Sequence, residues 1–129
     1  MSLDEMRRSL SSISIVVFPL PGDEQGLVER IRRAVEGAGM RAFIRAEGYA
    51  FMPSEVVGAL GLPHLRLAVV EDRIVMWVRD PFRLGEGCLE AGLAPQDLYE
   101  GITRAARAAA SEVLAYCSEK GAGAIVHVP

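Results

Sequence analysis

Lysine is nearly absent from this chain, cysteine, histidine and tryptophan are scarce, and no apolar run is long. One lysine stands against thirteen arginines, beside two histidines, two cysteines and a single tryptophan. Each shortage excludes a class of function. His64 and His127 lie far apart with no HxH, HExxH or cysteine pair near either, so no metal site is expected. Cys88 and Cys117 form no CxxC and no disulfide framework. No G-x-S-x-G elbow or P-loop occurs, and Gly85, Gly87 and Gly92 do not make GxGxxG because Glu90 stands in the third place. No cofactor is therefore implied. No apolar stretch approaches the roughly 20 residues of a spanning helix. Arg7 and Arg8 before "SLSSISIVVFPL" make a poor secretory leader, since Asp4 and Glu5 mix the charged region and serines break the apolar one. The expectation is a cytoplasmic protein without membrane contact.

An excess of positive charge is missing too. The net charge is −3. Residues 1–65 hold seven arginines against eight acids, and residues 66–129 hold six arginines and one lysine against nine. Neither half reads as a basic module, so no nucleic-acid partner is expected. The densest cluster, Arg30, Arg32 and Arg33, follows Glu29 at helical pairing distance and reads as a solvated helix face.

What the chain has is a core. Half of its 129 residues are hydrophobic and mean hydropathy is +0.22, enough to offset ordering entropy in one domain. Residues 1–11 read as a flexible start. "SISIVVFPL" alternates and then turns continuously apolar, a buried strand stopped by Pro19 and Pro21. Asp23 is placed to cap a helix whose stripe is Leu27, Val28, Ile31, Ala34, Val35 and Ala38, closed by Gly37 and Gly39. "MRAFIRAEGYAFM" reads as a strand with Arg41, Phe43 and Arg45 on its wetter side, returning parallel to the first through a right-handed crossover. Ser54 could cap a short helix in "PSEVVGALGLP". "HLRLAVV" and "RIVMWVR" flank a turn at Glu71 and Asp72, with Leu65, Leu67 and Val69 on one face. "WVRDPFRLGEGC" reads as a glycine-rich loop, leading to a long helix with Pro95 in its first turn and Gly121 beyond its end. "AIVHVP" supplies a last strand. The order βαβ(α)ββαβ predicts an α+β fold, a mixed β-sheet with helices packed on one face.

Several of these stretches together resemble a known family. Gly39, Glu47, Leu62 with Pro63, Glu71 with Asp72, Trp77, and Asp80 with Pro81 stand where members of the domain of unknown function family 302 carry like residues, over about residues 13–110. The resemblance implies a compact, self-associating α+β domain and brings no activity with it. This chain departs from that family in having only "GALG" where members carry a segment with Asn-Pro, and in its added terminal strand.

No acid–base or nucleophile constellation is recognisable, so no catalytic residue is assigned. The expectation is a non-catalytic module that forms homo-oligomers and binds a small ligand through its sheet. Trp77, Arg79, Asp80, Phe82, Arg83 and Cys88 are the candidate ligand-binding residues, with Tyr49, Phe51, Met52 and Met76 completing an aromatic concavity. The alternative is a small enzyme on the 79–88 loop, with Cys88 as nucleophile or Asp80 as base and Arg79 or Arg83 holding an anionic substrate.

Overall fold

A computed structural model describes residues 1–56 and 61–129. The fold is α+β, with four α-helices and six strands in one sheet among the described residues. The chain runs α1 (Leu3–Ser12), β1 (Ser14–Phe18), α2 (Glu24–Gly37), β2 (Met40–Arg45), β3 (Gly48–Pro53), β4 (His64–Val70), β5 (Arg73–Arg79), a 3₁₀ turn (Pro81–Arg83), α3 (Leu84–Ala91), α4 (Pro95–Lys120) and β6 (Gly123–His127). Spatial order is β2-β3-β4-β5-β1-β6, and every pairing is antiparallel rather than mixed. The expected parallel return fails because "MRAFIRAEGYAFM" is two strands, not one. Its alternation continues through Ala46 and Glu47, where the chain reverses, pairing Arg45 with Gly48. Helix α2 thus carries the chain to the far edge, a meander brings it back beside β1, and α4 delivers β6 to the other edge.

The start of the chain is not loose. Ser2 and Glu5 close a capping box on α1, each side chain bonding the other's backbone N–H at 3.1 Å, and Met6 and Leu10 enter the core. The "loop" after β5 is also helical. Gly85 and Gly87 serve as points of close approach inside α3: a Cβ on Gly85 would meet Leu3, and one on Gly87 would stand 2.9 Å from the Gly61 carbonyl oxygen. Ser54 and Glu55 lie in a turn, and the rest of the expected short helix falls on 57–60, outside the described residues.

Other expectations hold with altered chemistry. Asp23 occupies the N-cap of α2, but its carboxylate accepts the Tyr116 hydroxyl at 2.8 Å instead of capping the backbone. Arg32 pairs with Glu29 and Glu36 along α2, whereas Arg30 reaches across to Glu112 and Glu119 of α4. Helix α4 begins at Pro95 and ends on Gly121 in the left-handed region. The buried stripes of all four helices form one core with Ile15, Val17, Phe51, Leu65, Leu67, Ile74 and Met76, one face of the sheet.

A candidate anion site on the helix-free sheet face

Strand alternation sends the other set of side chains to the opposite face, where no helix packs among the described residues. There His127, Ser14, Trp77, Arg66, Ala50 and Phe43 stand in register, one from each strand. The rows beside them add Arg41, Arg45, Arg73 and Arg79, so the face carries five arginines and no strand carboxylate. Acidic side chains gather only in the turns at the strand ends, Glu47, Glu71 and Asp72 at one end and Glu55 and Asp80 at the other. A basic surface therefore exists that the balance of each sequence half concealed.

Three guanidinium groups lie over rings on this face: Arg66 over Trp77 at 5.8 Å, Arg41 over Phe43 at 5.3 Å and Arg73 over Phe18 at 5.5 Å. Arg66 is the unusual member. It sits in the middle of β4 and is only 9% exposed, yet it makes no ion pair or hydrogen bond with the described residues, and its Nε is buried without an acceptor. Burial pulls its pKa down, the nearby Arg79 and Arg45 pull it further, and Glu47 opposes them. His64, beside it, is likewise pushed down, first by burial and then by Arg66 and Arg79, while a hydrogen bond to the Leu62 carbonyl at 2.9 Å works the other way. A cation buried without a partner costs several kcal/mol unless a counter-charge arrives, and an arginine fork fits a carboxylate or phosphate with two parallel hydrogen bonds.

The six candidate residues scatter. Trp77 and Arg79 lie on the helix-free face, Arg79 exposed. Asp80 takes a left-handed φ of 57° that turns the chain off the sheet, 4.0 Å from Arg79. Phe82 is exposed in the 3₁₀ turn. Arg83 is held by the Gly61 carbonyl oxygen at 2.9 Å and faces Glu86 and Glu90, so its charge is already answered. Cys88 is not in a loop. It is fully buried on α3, and burial raises its thiol pKa, the reverse of what a nucleophile needs. The aromatic concavity also divides, since Tyr49, Phe51 and Met76 face the helices while Met52 and Trp77 face the other way.

Sequence reasoning missed Arg66, Arg41, Arg45, Arg73, Phe18 and Phe43. Their signal was present as arginines and rings on the polar phase of the strands, but it becomes a site only once β2, β4 and β5 are neighbours. Among the described residues no three His, Cys, Asp or Glu side chains gather to hold a metal ion, and no helix is long and apolar enough to cross a membrane. On the helix side, Leu3, Leu89, Leu93 and Pro95 with Arg7 and Glu86 line an apolar groove between α1, α3 and α4, and Leu89 is 84% exposed. No family model, curated protein or solved structure matches the chain, so the chemistry of the site rests on its own residues.

Proposed function

We propose that the protein is a non-catalytic binding module whose helix-free sheet face takes an anionic partner. Arg66 is the central ligand-binding residue, Trp77 the plate beside it, and Arg79 and Arg45 the flanking cations. The observation that carries this reading is Arg66 itself, nine-tenths buried in the midst of the sheet, its Nε without an acceptor among the described residues. A partner supplying a carboxylate or phosphate removes the desolvation cost that the free protein bears. Face-to-face self-association through this surface would set five arginines against five across a two-fold axis, and like charges so placed cost several kcal/mol. Thermal unfolding tests the reading. Inorganic phosphate at a hundred times its Kd is expected to add about 2.7 kcal/mol to the wild type beyond sodium chloride of equal ionic strength. Arg66→Met is expected to lose that increment, and equal shifts in both proteins would overturn the proposal.

Homo-oligomerisation finds a better surface in the groove beside Leu89. That groove is apolar with one cation, Arg7, and one carboxylate, Glu86, a composition complementary to a second copy of itself. Native mass spectrometry is expected to give a dimer for the wild type and a monomer for Leu89→Glu. A wild-type monomer at micromolar concentration rejects this second role and leaves anion binding untouched.

A further inference from the structure

We infer that the anionic partner is a single-stranded nucleic acid, laid across the strands with bases on the rings and phosphates on the arginines. This deepens the anion-binding reading above and depends on it. Five arginines spread over β2, β4 and β5 do not converge on one point, as they would around a small anion. With strands about 4.8 Å apart, six of them present a face about 25 Å wide, suited to an anion whose charge repeats along a chain. Each of three arginines stands beside a ring, at 5.3–5.8 Å. Unpaired bases stack on aromatic rings and guanidinium planes while their phosphates meet the guanidinium edges, so both halves of each pair are used. An acidic peptide would use the arginines and leave Phe18, Phe43 and Trp77 idle. A duplex keeps its bases stacked on one another and cannot reach the rings.

The acidic turns set the direction. Glu47, Glu71 and Asp72 close one end of the strand lanes and Glu55 and Asp80 the other, so a polyanion running along the strands would meet carboxylates at both ends. The row from Phe43 through Arg66 and Trp77 to His127 crosses the sheet without one. The overall charge of −3 opposes approach only at long range, because physiological salt screens exposed charges beyond about 8 Å.

Trp77 is the only tryptophan, so its fluorescence reports directly from this face. The test titrates the protein with an oligouridylate of about 12 nucleotides. Polyglutamate of equal charge, a duplex of equal length and inorganic phosphate are measured alongside. The expected result is quenching of Trp77 by the oligouridylate, with log K falling against log salt at a slope of about −0.7 for each phosphate contacted. Arg66→Met is expected to weaken binding about tenfold, the scale of a lost charged hydrogen bond. Exposed Arg41→Ala and Arg79→Ala each lower the salt slope by about 0.7 without touching the fold. Trp77→Leu, read by anisotropy of a labelled strand, weakens the oligouridylate and leaves polyglutamate unchanged. If polyglutamate or the duplex binds as tightly, or if phosphate stabilises the protein while the oligouridylate does not bind, the nucleic-acid inference falls and the anion reading stands. If no anion binds at all, both fall together.

Discussion

Phe51 and Phe43 belong to one β-hairpin and show how differently the two faces of the sheet are treated. Phe51 is fully buried beneath the helices, its ring centroid 6.0 Å from that of Tyr49. Phe43 is half-buried on the other face, with a guanidinium lying over it. On the helix side most polar groups are answered: Tyr49 donates to Glu29 at 3.1 Å, the Glu29 carboxyl is held below its usual range chiefly by its hydrogen bond from Arg32, Tyr116 donates to Asp23, and Arg7, whose Nε is buried without an acceptor among the described residues, still pairs with Asp4 at 3.0 Å. On the opposite side Arg66 has no ion pair among the described residues, and its Nε is buried without an acceptor there. A protein tolerates such a deficit where a partner makes it good, so the incomplete face is the place to look for function.

The sharpest way to break this comparison is to truncate both rings. Phe51→Ala is expected to cost about 3–5 kcal/mol in urea unfolding, and Phe43→Ala about 1 kcal/mol or less, because only the first leaves a closed cavity. Similar losses would mean that the helix-free face is packed as the core is. Next in size, Arg66→Met is expected to stabilise the unliganded protein by about 1–3 kcal/mol, as replacement of a poorly compensated buried charge by an apolar chain commonly does. A destabilised Arg66→Met would show that the arginine has an internal partner.

A smaller effect concerns pH. The folded state holds the His64 pKa below its ordinary value of 6.5, so the unfolded chain binds the extra proton first. Stability is therefore full above 6.5 and falls as pH drops below it, with a slope of at most about 1.4 kcal/mol per pH unit for one proton. His64→Gln is expected to flatten that limb, and an unchanged slope would assign the acid sensitivity elsewhere. Least disturbing is thiol labelling of the folded protein. Half-buried Cys117 is expected to react before fully buried Cys88, and the reverse order under native conditions would revive the nucleophile that the fold disfavours.

The parts of the fold legible in the sequence were those whose signals are local. The Glu71–Asp72 turn, the stripe and closing glycines of α2, and the proline and glycine bounding α4 all lie where their residues place them. Helix α1 also had a local signal, the Ser2–Glu5 box followed by Leu3, Met6 and Leu10 at helical spacing, obscured by the serines and mixed charges around it. The β2–β3 turn was hidden because alternation continued through it, and α3 because its glycines looked like loop residues. The site was half legible. Trp77 and Arg79 share a strand and a phase, but Arg66, Arg41 and Arg45 join them only through strand pairing, and a charge tally by sequence half cannot register that.

The position of β1 in the sheet carries a consequence for synthesis. Its neighbours are β5 and β6, both far downstream, so "SIVVF" leaves the ribosome with two bare edges and stays so while most of the chain is made. Closure of the sheet waits for residues 123–127, and contacts that distant in sequence make folding slow. Until then an apolar strand with unpaired backbone groups is open to other chains.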